Sequence, residues 1–240
     1  KPHPAAQVEP ASGAAAGGVQ TAPARSGGSV LDALRSSPGL KLLFLMIALG
    51  IFVLIGFDVV IPVVIRDNLK SGESLYGLLI GMIGAGTLAG TLVLFLRKSR
   101  PSPWRDVVAG LLLLAFIPAS VAIAIEMPGA KAAHIFLYAA MLAGGAGNGI
   151  INVQVGTLLQ LLTPPALLGR MGGAFQSVMV ASQMGGLLIT PLLIPGLLLP
   201  GAYFAGITAA ILILTVYVAL SARHAAAPVS VSQVRASSAD

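Results

Sequence analysis

The sequence predicts an all-α membrane protein of six transmembrane helices, and three observations carry that prediction. The 240 residues are 56% hydrophobic and only 9% charged, whereas a soluble domain is about 25% charged, so too few charges remain to cover a water-facing surface. Six apolar stretches have the length a bilayer demands, since about 30 Å of hydrocarbon takes about 20 helical residues at about 1.5 Å each. The basic residues crowd into alternate connections between those stretches, as topology determinants do. Strands crossing lipid would be about ten residues long and alternate apolar with polar, so helices are the spanning structure.

Residues 1–29 begin at Lys1 without a Met and are mostly Ala, Gly, Pro, Ser and Gln. They hold no apolar block of the kind a secretory signal needs, and their composition predicts a disordered linker. Residues 30–40 form a short cytoplasmic amphipathic segment. Its helix, from Val30 to Arg35 behind Ser26 or Ser29 as cap, is broken by Pro38-Gly39.

The membrane domain, residues 41–222, contains the spans Lys41 to Ile65, Leu75 to Leu96, Val107 to Ile125, Ala132 to Leu162, Met171 to Ile194 and Gly201 to Leu220. The fourth is the longest, and Pro191, Pro195 and Pro200 blur the end of the fifth. Residues 223–240 read as a disordered cytoplasmic tail.

The formal charge of +6 and pI of about 10.1 would suggest nucleic acid in a soluble protein. Here the charges lie between apolar runs and report topology, so no nucleic acid is expected. Lys1, Arg25, Arg35 and Lys41 precede span one, and Arg97, Lys98, Arg100 and Arg105 separate spans two and three. Arg170 separates four and five, and Arg223 and Arg235 follow six; only Arg66, Lys70 and Lys131 fall on the other side. By the positive-inside rule both termini are cytoplasmic, in a plasma membrane, and the expected setting is a bacterial inner membrane.

The spans differ in character by threes. Spans one and four carry Asp58, and Asn148, Asn152 and Gln154; two and five are Gly-rich with scattered Thr and Gln; three and six are bland. Bland helices face lipid. A three-plus-three repeat of this kind makes up one half of a twelve-helix secondary transporter.

Particular motifs agree. After Thr163-Pro164-Pro165 the chain reads Ala166-Leu167-Leu168-Gly169-Arg170-Met171-Gly172-Gly173, which resembles the Pro-x-x-Arg-Gly-Arg-x-x-Gly turn of major facilitator superfamily transporters, with Leu168 in place of the first Arg. Span two, with Tyr76-Gly77, Gly81, Gly84, Gly86 and Gly90 before Arg97-Lys98-Ser99-Arg100, resembles the second-half copy of that family's cytoplasmic loop motif, with Leu94 where its acid would stand. The lead-in Val30 to Leu40 is similar to the segment before the seventh helix in macrolide, tetracycline and siderophore (enterobactin-type) exporters. The likeness covers about Val30 to Leu220. It implies half of a major facilitator fold: the C-terminal six helices, with the N-terminal six-helix half absent, or a half-size protein that pairs with a second copy or a partner.

Asp58 is the only acid well inside an apolar span, four residues before Pro62 and eight before Arg66. An intramembrane carboxylate needs a partner, a watery cavity or a proton, so Asp58 is the candidate for proton or cation coupling; the bland reading is a carboxylate snorkelling to the headgroups. Asn148, Asn152 and Gly156 fall on one helical stripe, as cavity lining or as interhelical glue, while Gln154 points elsewhere. Gln176, Gln183 and Thr190 recur every seven residues and are cavity-lining candidates or a packing seam. The glycines Gly77, Gly81, Gly84 and Gly90 permit close backbone contact; lying in lipid, they cannot cradle phosphate. Gly90, Arg97, Lys98, Arg100, Gly169, Arg170 and Gly173 form the loop motif by resemblance, and the basic members determine topology and meet anionic headgroups.

The leading expectation is therefore a proton-coupled exporter of small amphipathic compounds working by alternating access in the lipid bilayer. The alternative is a six-span channel or scaffold acting as a self-paired oligomer, but the chain lacks paired Asn-Pro-Ala half-helices and any filter sequence. An enzyme is not expected. His134 and His224 lie at or beyond span ends, and only one acid is deep. No cofactor and no metal are expected, because the chain has no Cys and His134 has no second ligand at metal spacing.

Overall fold

A computed structural model describes residues 30–67, 73–97, 102–128, 130–197 and 200–225. The expected disordered leader and most of the tail lie outside the described residues, as do Lys70, Lys98 and Arg100. Among the described residues the chain forms eight α-helices: α1 (Val30–Ser36), α2 (Pro38–Asp67), α3 (Glu73–Leu96), α4 (Pro103–Leu114), α5 (Phe116–Glu126), α6 (Ala130–Leu162), α7 (Leu168–Leu197) and α8 (Pro200–Ala225), with a single 3-10 turn at Pro165–Leu167. The chain is an all-α, multi-spanning helical bundle.

Local chemistry sets the breaks. Pro38 does not merely stop α1; it opens α2 at the first helical position, where a missing N–H costs nothing. The Ser37 hydroxyl accepts the Leu40 N–H at 3.4 Å there as an N-cap. The third span is not one rod but α4 and α5, interrupted at Ala115. Pro118 is the cause: it has no N–H for the carbonyl of Leu114 and its ring crowds that carbonyl, while Ala115 and Ala119 keep their bonds on either side. Pro62 sits inside α2 and likewise offers no N–H to the carbonyl four residues back, that of Asp58.

Five segments among the described residues are long and apolar enough to cross a membrane: Pro38–Asp67, Ser74–Leu96, Pro103–Glu126, Lys131–Leu162 and Pro200–Ala222. Helix α7 has the length of a span at 30 residues and carries Gln176, Ser177, Ser182 and Gln183.

Packing divides the bundle into two layers. Helix α6 lies between α3 on one side and α4 and α5 on the other; α2 lies between α7 and α8; α4 and α5 join α8, and α2 touches α6 to close the two layers. Glycines let α6 come this close. A Cβ on Gly145 would collide with the backbone carbonyl of Ile83 on α3, and one on Gly149 with that of Thr87. On the other face Gly144 meets Ile117 of α5, and a Cβ on Gly147 would stand 2.7 Å from Cβ of Leu113 on α4. The run Gly144 to Gly149 therefore serves close packing on two faces of a helix that stays wound.

The core runs through α2 to α6 and α8, with Leu43, Val107, Phe204 and Val218 fully enclosed. Phe57 of α2 and Phe204 of α8 meet edge-to-face with centroids 5.6 Å apart, a geometry that contributes about 0.5–1.5 kcal/mol beyond burial. A smaller cluster of Leu40, Phe44 and Met171 holds the start of α7 and the short α1 against α2.

Candidate functional site

The exposed polar groups within the spans lie on one subset of helices. The large side chains exposed along α8 are Leu212, Ile213, Val216, Tyr217 and Leu220, and along α5, before its terminal Glu126, Phe116 and Ile123. By contrast Asp58 on α2, Asn152 and Gln160 on α6, and Gln176, Ser177 and Gln183 on α7 are all exposed. Most hydroxyls in the spans are internally satisfied and offer a ligand little: Thr87, Thr157, Ser177, Thr208 and Thr215 each donate to the carbonyl four residues back. The amides and the carboxylate are what remains.

Asn148 and Asn152 share a stripe but do different things. Asn148 donates through Nδ2 to Thr87 Oγ1 on α3 at 3.4 Å, which ties α6 to α3. Asn152 donates to Asn148 Oδ1 at 3.3 Å while its side chain stays exposed. Gly156 on the same stripe has nothing within 4 Å of a Cβ position.

The heptad set on α7 splits. Gln176 and Gln183 are exposed, but Thr190 is only 4% exposed and its hydroxyl is hydrogen-bonded to that of Tyr203 on α8. An α-helix drifts about 20° per heptad, so two heptads rotate Thr190 off the open face toward α2 and α8. Gly56 on α2 completes this contact: a Cβ there would lie 3.2 Å from Thr190 Oγ1 and would strike the Tyr203 hydroxyl.

The glycines of α3 also divide. Gly86 and Gly90 back directly onto Leu142 and Ala146 of α6. Gly77, Gly81 and Gly84 have nothing within 4 Å of a Cβ, so close backbone contact holds for Gly90 and not for these three. Gly169, Gly172 and Gly173 at the start of α7 are equally open, and Arg170 beside them is exposed.

One cluster was missing from the sequence reading. Asp106, in the first turn of α4, is 7% exposed. Its Oδ1 accepts from Arg97 Nη1 at 3.1 Å and its Oδ2 accepts from Gln154 Nε2 at 2.9 Å. Gln154 does point away from Asn148 and Asn152, toward this acid. The signal lay in the sequence as an acid one residue before an apolar run and nine residues after Arg97, but a carboxylate at a span end is ordinarily a solvated one. Among the described residues no three His, Cys, Asp or Glu side chains gather as metal ligands.

Comparison with family models, with curated proteins and with solved structures returned no match. The likeness to major facilitator transporters accordingly rests on the motifs quoted above. The chain stands as a multi-pass helical membrane protein of transport-like architecture.

Proposed function

We propose that the chain is one six-helix half of a secondary transporter of the major facilitator type, a proton-coupled exporter of small amphipathic compounds, with both termini cytoplasmic. The observation that carries this reading is the division of the surface: amides and a carboxylate exposed on α2, α6 and α7, and no amide or charged side chain exposed in mid-span on α5 and α8. A bundle that met lipid on every side would have no reason to expose Asp58, Asn152, Gln176 and Gln183. A bundle facing an aqueous cavity on one side would.

The packing supports an internal repeat. Exchanging α2, α3 and the α4–α5 pair with α6, α7 and α8 carries the α3–α6 contact onto α7–α2, the α4–α5 contact with α6 onto α8–α2, and leaves the α5–α8 and α2–α6 contacts in place. The open glycines on α3 and α7 offer flat, small-residue surfaces to a missing N-terminal half or a second copy, and alternating access is then a rocking across that seam. Asp58 contributes an exposed carboxylate one turn before Pro62. An intramembrane carboxylate of this kind suits a proton or a small cation.

The test is transport by the whole gene product, with any chain encoded before Lys1, in proteoliposomes. Saturable efflux of an amphipathic dye that needs a pH gradient supports the reading. Ohmic conductance without saturation supports a self-paired channel instead.

A further inference from the structure

We infer that the cavity enclosed by the ends of α3, α4 and α6 is a binding site for the phosphate headgroup of an anionic phospholipid. The cavity has a volume of about 810 Å³ and is lined on its polar side by Arg97, Ser102, Asp106 and Gln154 and on its apolar side by residues that include Phe95 and Leu161. Accessibility decides the sign of the ligand. The Asp106 side chain is 9% exposed and the Arg97 side chain 47%, and both carboxylate oxygens are engaged. An incoming group therefore meets a guanidinium, one of whose five N–H donors is bonded to Asp106. Gln154 holds Asp106, and Asp106 holds Arg97, so the planar fork is oriented before any ligand arrives, the arrangement that suits a phosphate. The Ser102 hydroxyl makes no capping bond to α4 and adds a donor at the rim.

The apolar wall separates a lipid from a soluble phosphate. Phe95 is 84% exposed and Leu161 69%, and both line the cavity that holds Arg97, an apolar surface against which an acyl chain can lie. Inorganic phosphate or a phosphorylated metabolite would leave them unused. Basic pockets between spans are known lipid-headgroup chemistry, and here the pocket is built around a buried acid that no solvated topology determinant requires. The inference rests on the chain spanning a bilayer and not on transport, so its failure leaves the transporter reading untouched.

The test uses the full chain in nanodiscs of phosphatidylcholine doped with phosphatidylglycerol, released for native mass spectrometry, with bound lipid counted per protein. Phosphatidylglycerol should be retained in preference to phosphatidylcholine. Replacing both charges together, Arg97→Gln with Asp106→Asn, leaves no lone buried charge and should reduce that preference about fivefold, the change expected for one basic residue at an anionic surface. Arg105→Ala, at an exposed site outside the cavity, should keep it. Leu161→Trp fills the cavity from an exposed position and should lose it, which decides the matter if the double variant does not fold. Equal retention of the two lipids, or a preference unchanged in the variants, overturns the site. Arg97-dependent binding of sn-glycerol 3-phosphate with no lipid retained overturns the lipid and makes the ligand a soluble phosphate.

Discussion

Asp106 and Gln154, 48 positions apart in the chain, are joined by a 2.9 Å hydrogen bond that fastens the first turn of α4 to α6. With Arg97 on the other carboxylate oxygen, three helix ends meet at one buried acid. Arg97→Gln takes the charged donor away and leaves Asp106 buried with only Gln154. A loss of about 1–3 kcal/mol is expected. Arg97→Gln combined with Asp106→Asn should recover most of it, because no charge is then stranded. Thermal unfolding in detergent of the two variants beside the parent reads the difference; equal destabilisation by both would show that the pair is not what holds these ends.

The two sets of glycines should respond in opposite ways. Gly145→Leu or Gly90→Leu drives a side chain into a backbone of the facing helix and should destabilise the bundle by at least the 1–3 kcal/mol or so typical of overpacking. Gly81→Ala and Gly84→Ala meet nothing within 4 Å; in an isolated bundle they should be neutral or stabilising by up to about 1 kcal/mol, the helix-propensity difference. If they nonetheless abolish transport, the open face of α3 is where another body packs. Thermal stability and flux measured on the same preparations separate the two effects.

Gly56, Thr190 and Tyr203 form a three-helix contact that can be tested by rescue. Gly56→Ala puts a methyl against the Tyr203 hydroxyl and should lower stability. Tyr203→Phe removes that hydroxyl and should cost about 1 kcal/mol on its own through the lost bond to Thr190. Combined with Gly56→Ala, it should cost less than the sum of the two. A double-mutant cycle by thermal unfolding gives the coupling, and simple additivity would contradict the contact.

The exposed amides of α7 make few demands on the fold. Gln176→Leu and Gln183→Leu should leave stability within about 0.5 kcal/mol of the parent, as exposed substitutions do, while raising the substrate concentration for half-maximal flux. Unchanged flux in both variants would remove α7 from the pathway.

Much of the bundle was legible in the sequence because membrane helices announce themselves by length and composition. The run from Lys41 to Ile65 needed no packing information to be read as a span, and α2 extends it only to Pro38 and Asp67. What sequence could not supply was rotation and approach. Gln176, Gln183 and Thr190 look like one stripe at spacing seven, yet accumulated helical drift buries Thr190 against Tyr203. Gly77 and Gly90 look like members of one ladder, yet only Gly90 faces α6. The split of the third span at Ala115 was written in Pro118 all the same. Asp106 escaped notice because its burial is produced by α3 and α6 folding over it, which no local pattern records.

If this chain contributes one side of an alternating-access pathway coupled through Asp58, flux must depend on a pH gradient and on that carboxylate. The whole gene product and its Asp58→Asn variant would be reconstituted at equal density and amphipathic dye efflux followed with the gradient imposed and then collapsed. In the parent, saturable efflux should vanish with the gradient, and in Asp58→Asn gradient-driven efflux should fall at least about tenfold, with dye exchange at equilibrium retained. Gradient-driven efflux of parental rate in Asp58→Asn would contradict that coupling.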